Sequence, residues 1–383
     1  MVSGVTSPRP ATGGRKCRCS VCSARAACTD SLYAGSSRAE LRAGIIPAAD
    51  HAADCSLTHA MKAFAALAVS GSLAAWLLRK KLCEGTGYDP KSEVCVTAGT
   101  QEALFSVFTA YVNPGDEVLV PDPGFISYVT LAKMCGATVV RYALEAPDWQ
   151  IDVAALEQKI TSRTKLIVVN SPSNPLGAVV ERAILERIAA TGRLVVSDEV
   201  YREIWYDAEP PSMSGMGDNV IVLNGLSKSH AMTGLRLGWV QAPESVMKPI
   251  LTTHQYIATC ASVFSQTLAE LIFDAPEWNA QWLAGVRAQF TTQREAALYA
   301  IEHELETTIA PPAGAFYAFT PVPACESIAF AKTLATDAAV LVIPGAAFGA
   351  HGQGFVRISF AAPVEQITSG IERIGRYLRA QGR

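Results

Sequence analysis

Asn224-Gly225-Leu226-Ser227-Lys228-Ser229-His230-Ala231-Met232-Thr233-Gly234-Leu235-Arg236-Leu237-Gly238 follows the apolar run Val220–Leu223. One lysine stands among small and hydroxyl residues at the end of what reads as a buried strand. A partly desolvated amine gives up its proton more easily, so Lys228 is a candidate Schiff-base nucleophile. Arg236, eight positions on, has the planar fork that suits a phosphate dianion. Alone, the segment reads better as a solvated surface loop; its company elsewhere in the chain reverses that.

Outward from this segment, the chain from Glu93 onward alternates short β-branched runs with helical stretches, which is the βαβ signal. The pattern predicts strands at Val94–Val96, Glu117–Val120 and Thr138–Tyr142, and helices at Gln101–Tyr111 and Val153–Ile160. Leu166–Asn170, Leu194–Asp198 and Val220–Asn224 are apolar without alternation, as strands of a parallel sheet covered on both faces should be. Glu244 to Glu306 has mostly helical spacing. After Pro311-Pro312-Ala313-Gly314 the text changes: strand Ala315–Phe319, helix Ser327–Thr336, strand Ala339–Ile343, strand Phe355–Phe360 and helix Val364–Gln381 predict a smaller α+β unit.

The 383 residues suffice for one or two cores, and a hydrophobic fraction of 50% with 17% charged residues reads as globular. A net charge of −3 gives no general reason to bind nucleic acid or a membrane surface. Ten cysteines are too few for a disulfide scaffold, and those after Lys80 sit in apolar or small surroundings, as reduced core residues do. The expected compartment is the cytoplasm.

Four further segments accompany the lysine stretch in a fixed order: Thr97-Ala98-Gly99-Thr100-Gln101-Glu102-Ala103-Leu104, Asn170-Ser171-Pro172-Ser173-Asn174-Pro175-Leu176-Gly177, Ser197-Asp198-Glu199-Val200-Tyr201 and Phe355-Val356-Arg357-Ile358-Ser359-Phe360. Together the five resemble the fold-type I, class I and II aminotransferases, of the aspartate aminotransferase kind, which depend on pyridoxal 5′-phosphate. The resemblance runs from about Lys80 to the C-terminus. It implies an α/β fold: a large domain with a mainly parallel seven-stranded sheet covered by helices on both faces, expected over residues 80–280, and a smaller α+β domain over 281–383. It also implies amino-group transfer between an L-amino acid and a 2-oxo acid, and a homodimer.

That coenzyme asks for a lysine, an anion at its ring nitrogen, a phosphate cradle and a grip on the substrate carboxylate. Asp198 ends a buried strand, where a carboxylate needs a cationic partner, and a protonated ring nitrogen is one; the alternative is a helix N-cap. Gly99-Thr100 lies at a strand-to-helix junction, where exposed N–H groups attract phosphate. The resemblance places Ala98, Gly99 and Thr100 there with Arg236, Tyr201 and Asn174 at the coenzyme's phenolic oxygen, and Phe125 against its ring. The family often has a hydroxyl three residues before the lysine, where this chain has Gly225. The Asn174–Pro175 bond is often cis in the family. Arg357, among Val, Ile, Ser and Phe, needs a planar anion, and the α-carboxylate of a substrate fits it bidentately, with Asn174 beside it. No metal is implied. A lyase or synthase using the same lysine chemistry is the alternative, and a coenzyme-binding regulator is a third class.

Residues 1–79 depart from the pattern. They carry neither the Gly-x-Pro-Asp type motif nor the tyrosine of the family's N-terminal lid, and residues 1–29 hold five basic residues and no acidic one. This composition reads as a transit-like, diverged or out-of-frame segment, and a chain without the lid is expected to turn over poorly or be inactive. The uncharged run Ala63–Leu78 is shorter than the roughly 20 residues that span a bilayer. Cys17, Cys19, Cys22 and Cys28 match no common zinc spacing.

Overall fold

Consecutive residues of the central strands point to opposite faces, and both faces are buried. In the computed structural model, which describes residues 75–323 and 326–382, Val118, Val120, Leu166, Val168, Ile221 and Leu223 join one core and their neighbours Leu119, Ile167, Val169, Val220 and Val222 join another. Each such side chain contributes about 1.5–3 kcal/mol on burial. The uninterrupted apolar runs therefore become inner strands, as two-sided cover requires.

The strands are β1 (Val94–Thr97), β2 (Glu117–Asp122), β3 (Thr138–Ala143), β4 (Thr164–Asn170), β5 (Leu194–Asp198), β6 (Val220–Gly225) and β7 (Gly238–Gln241). They form a seven-stranded sheet in the order β1-β7-β6-β5-β4-β2-β3. The β2–β3, β2–β4, β4–β5 and β5–β6 pairs are parallel, and β7 runs antiparallel to both its neighbours. Helices α1 (Thr100–Tyr111), α2 (Ile126–Met134) and α5 (Glu244–Ile257) cover one face; α3 (Val153–Glu157) and α4 (Arg182–Ala189) cover the other. Helix α6 (Val263–Phe273) packs with β1 and β7 in a separate apolar cluster.

Helix α7 (Pro276–Leu305) is 30 residues long, about 45 Å at the usual rise. Its later residues Ala297, Ala300 and Ile301 enter a third core. The rest of that core comes from α8 (Ser327–Thr333), α9 (Val364–Ala380) and the antiparallel sheet β8 (Tyr317–Pro321), β10 (Phe355–Ser359), β9 (Ile343–Pro344). The boundary expected between residues 280 and 281 thus falls inside one continuous helix. By its contacts the chain separates into Met1–Lys62 and Ala63–Arg383, and every described residue belongs to the second unit. The N-terminal cysteine group, the basic stretch and most of the Ala63–Leu78 run lie outside the described residues. Among those described, no helix is long and apolar enough to cross a membrane.

Two sequence expectations change. The strand expected over Ala339–Ile343 is reduced to Ile343–Pro344: a wide helical turn, Leu334–Ala338, precedes it, Ala339 takes a left-handed φ of 50°, and Leu341 is 88% exposed. An apolar run is not by itself a strand unless a neighbour pairs with it. The helix expected over Val153–Ile160 stops at Glu157. Helix α2 carries no strong signal, since its β-branched residues (Ile126, Val129 and Thr130) resemble a strand as much as a helix; α4 carries an amphipathic one, with Leu185, Ile188 and Ala189 on its buried face.

Two facing glycines set the fold against the site. Gly225 of β6 pairs with Gly238 of β7. A Cβ on Gly238 would lie 2.6 Å from the Thr100 nitrogen, and one on Gly225 would lie 2.8 Å from the Leu237 carbonyl oxygen. The bare pair lets the start of α1 rest on the sheet beside the Lys228 loop. Gly238→Ala is expected to cost about 1–3 kcal/mol through overpacking, read as a lower midpoint in thermal melting; an unchanged melting curve contradicts this account of the contact.

Candidate active site

Lys228 follows β6 in a loop that folds back on itself. The His230 N–H donates to Leu226 O at 3.2 Å and Thr233 Oγ1 to Ser227 O at 2.8 Å. The indole of Trp282, on α7, donates to Ser229 O at 3.0 Å. The loop thus presents Lys228 to a cleft of about 320 Å³, with its Nζ 5.9 Å from the centroid of the Tyr201 ring. Burial first, then the guanidiniums of Arg236 and Arg357, hold the amine below its usual range, and Asp198 opposes them.

Asp198 ends β5 on the cleft floor. Tyr128 Oη donates to its Oδ2 at 2.8 Å, and the Val200 N–H makes a longer contact of 3.4 Å to Oδ1. No helix follows it, so it is not an N-cap. Burial raises its carboxyl above the usual range, and the Tyr128 hydroxyl is the main opposing influence. Its hydrogen-bond donors are neutral, which leaves it open to a cation.

At one end of the cleft, α1 begins at Gly99, whose φ is 87°, and no side chain caps the helix. A Cβ on Gly99 would lie 2.5 Å from Arg236 Nη2, so the guanidinium lies directly on this glycine. Arg236 itself takes a left-handed φ of 52°, and its Nη1 donates to Thr233 O at 2.8 Å. That conformation is uncommon for a bulky residue and marks a side chain held in place by its surroundings. Thr100 and Gln101 line the cleft, whereas Ala98 and Gly99 lie behind it. The Ala98 N–H is occupied by the Glu102 carboxylate, and the Gly99 N–H donates to Thr97 O at 2.8 Å.

Arg357 lines the same cleft from β10, where it pairs with Phe319 of β8. Its Cζ lies 4.4 Å from the Tyr317 ring centroid and 5.1 Å from that of Phe348. Its Nη1 donates to Asn174 Oδ1 at 2.7 Å, and among the described residues its Nε has no partner. Asn174 is held in turn, its N–H donating to Asn170 Oδ1 at 2.8 Å, while Asn170 Nδ2 donates to Asp198 O at 2.9 Å. The Asn174–Pro175 bond is cis. The Tyr201 and Tyr317 hydroxyls share a hydrogen bond of 2.8 Å. Phe125 caps α2 and sets its ring edge-on to Tyr128, 5.6 Å between centroids.

The sequence profile described as "Aminotransferase class I and II" matches residues 35–374, reaching further toward the N-terminus than the five motifs do. A probable N-acetyl-LL-diaminopimelate aminotransferase of Bacillus subtilis is 35% identical over 294 residues, 75% of this chain and 74% of that protein. An aspartate aminotransferase of Pyrococcus abyssi is 33% identical over 303 residues, 76% of this chain and 77% of that one. Among solved structures, an aromatic aminotransferase from Pyrococcus horikoshii superimposes with a TM-score of 0.76 at 33% identity, covering 80% of this chain and 86% of the other. This chain belongs to the class I and II aminotransferases. It is an enzyme of the aminotransferase class, with the aspartate aminotransferase-like fold.

Lys228, Asp198, Tyr201, Asn174, Arg236, Arg357, Thr100 and Phe125 all line this aminotransferase's cleft. Sequence reasoning missed Gln101, Tyr128, Asn170 and Tyr317, which line it too. Gln101 and Asn170 were inside quoted motifs; Tyr128 had a signal in its three-residue spacing from Phe125, and Tyr317 had none beyond a glycine-led aromatic run.

Neighbouring charges fix the sign of a pH prediction. In protein freed of bound carbonyl compounds, Lys228 is expected to react with acetic anhydride with a lower pH midpoint than exposed lysines. Arg236→Gln raises that midpoint by removing a repelling cation, and Asp198→Asn lowers it further by removing the attracting anion. Peptide mapping across a pH series reads all three, and a wild-type midpoint level with surface lysines is the contrary result.

Proposed function

We propose that the chain is a pyridoxal 5′-phosphate-dependent transaminase that moves an amino group between an L-amino acid with an uncharged side chain and a 2-oxo acid. One observation carries the reading: a single cleft holds a lysine with a lowered pKa, a buried carboxylate that lacks a bonded cation, and two arginines that both act on the lysine. These residues fit the coenzyme. Asp198 would pair with its ring nitrogen, Tyr201 and Asn174 would meet its phenolic oxygen, and Phe125 would lie by its ring. The N-terminal turn of α1 at Thr100 and Gln101, with Arg236, would receive its phosphate. When bound, pyridoxal phosphate supplies the carbonyl that Lys228 attacks and a ring that accepts the electron pair released at the substrate's α-carbon.

The remaining work falls to the chain's own side chains. Arg357, half-held by Asn174, offers its unpaired Nε and outer nitrogen to the α-carboxylate. That grip turns the α-hydrogen toward Lys228, whose Nζ takes the proton and later returns it. Burial and the two guanidiniums favour the neutral amine that a base requires.

The cations lining the cleft are Lys228, Arg236 and Arg357, and each has a role, so none remains for a second carboxylate. Leu104, Tyr128 and Tyr317 add apolar and aromatic wall. This supports a neutral donor, although relatives carry both aspartate and aromatic names. A homodimer is part of the proposal, with a second copy covering the exposed Tyr256, Ile257 and Phe264.

Borohydride reduction of protein incubated with pyridoxal phosphate is expected to place the label on Lys228, and a neutral amino acid with a 2-oxo acid to give exchange rather than elimination. Arg357→Gln should raise KM for the donor about tenfold to a hundredfold, the loss of a charged hydrogen-bonding partner, with Lys228 labelling retained. Label on another residue, or elimination without exchange, refutes the assignment.

A further inference from the structure

Two groups behind the phosphate end of the cleft take no part in the reading above. Glu102, in the first turn of α1, turns its carboxylate back to the helix start, where one oxygen accepts the Ala98 N–H. The other oxygen meets His254 Nδ1 at 2.6 Å, and both side chains are 9% exposed. His254 gets there because α5 packs along α1. Val246, Ile250 and His254 follow one another at four-residue intervals, and the first two share a core with Ala103 and Val107. Tyr111 Oη, donating to Val246 O at 2.6 Å, ties the far end of the same helix pair.

A carboxylate in this position has two opposed effects. As an acceptor it holds the Ala98 N–H and therefore the turn from Thr97 into α1. As a charge it sits beside a helix N-terminus whose field attracts anions, and there it would repel a phosphate. A buried carboxylate is also costly without a cationic partner. The Nδ1–Oε1 contact is at least as short as charge-assisted bonds between nitrogen and a carboxylate.

We propose that His254 is a positioning residue for the coenzyme's phosphate: as an imidazolium it offsets the Glu102 charge, so that the carboxylate can hold the Ala98 N–H without opposing the phosphate received by Thr100, Gln101 and Arg236. The proposal rests on the pyridoxal phosphate reading. Arg236 lies against Gly99 and carries the direct contact, whereas His254 touches Glu102 and acts only through it.

The test uses the full chain and two compounds, pyridoxal 5′-phosphate and pyridoxal, which differ only in the phosphate. Apparent affinity for each is read from reductive labelling of Lys228 against concentration. H254Q keeps a hydrogen-bond donor but loses the charge. It is expected to weaken pyridoxal phosphate about fivefold to thirtyfold, the range for a charge at a partly buried helix terminus, and to leave pyridoxal unchanged. The double variant E102Q/H254Q keeps an oxygen facing the Ala98 N–H and removes the anion, so it should recover most of the lost affinity. Unchanged binding in H254Q, an equal loss for both compounds, or no recovery in the double variant makes the pair a simple buttress between helices and overturns the proposal. If neither compound labels Lys228 in the unaltered chain, the coenzyme reading itself fails and takes this proposal with it.

Discussion

Three cations and one carboxylate line the same cleft, and that imbalance governs the site. Lys228, Arg236 and Arg357 face it from a loop, a strained turn and a strand of the small sheet, and Asp198 is the one acid among the lining residues. Like charges brought together under partial burial repel, and the protein answers by spacing them. Arg236 is pinned on Gly99, Arg357 is stacked between Tyr317 and Phe348, and Lys228 sits between them with its proton weakly held. A cleft of this charge suits anionic ligands, and under the proposed function a phosphate beside Arg236 and a carboxylate beside Arg357 would supply them.

The fold makes that spacing rigid. Asp198 ends β5 and Lys228 lies in the loop just after β6, and the two strands are parallel neighbours, so the sheet brings both residues to the same edge. The glycine pair Gly225–Gly238 lets α1 start against the same sheet edge, bringing Thr100 beside the lysine loop. Arg357 belongs to a different sheet and core, and α7 connects the two. Near its start Trp282 bonds the Ser229 carbonyl, and near its end Ala300 and Ile301 enter the small core. Movement of the small sheet would therefore shift Arg357 relative to Lys228.

Neutral groups do much of the tuning. Tyr128 donates to Asp198, Asn170 joins the Asp198 carbonyl to Asn174, and Asn174 accepts from Arg357. This chain of hydrogen bonds runs from Asp198 to Arg357 without any formal charge in between. Such a path orders the two ends relative to each other while leaving the cations free for ligands.

The architecture was legible in the residue pattern, and most of the residues that line the cleft stood inside the motifs. Leu166–Val169 is apolar on every residue because both faces of the sheet are covered. Only the tertiary structure decided the rest, because those decisions are made by residues distant in the chain. It put Thr100 and Gln101 in the cleft and Ala98 behind it, since the Ala98 N–H was taken by a carboxylate that His254 holds from another helix. It recruited Tyr128 and Tyr317, whose hydroxyls meet partners 70 and 116 residues away. It also left residues 339–342 unpaired, for an apolar run becomes a strand only where another backbone lies alongside to take its hydrogen bonds.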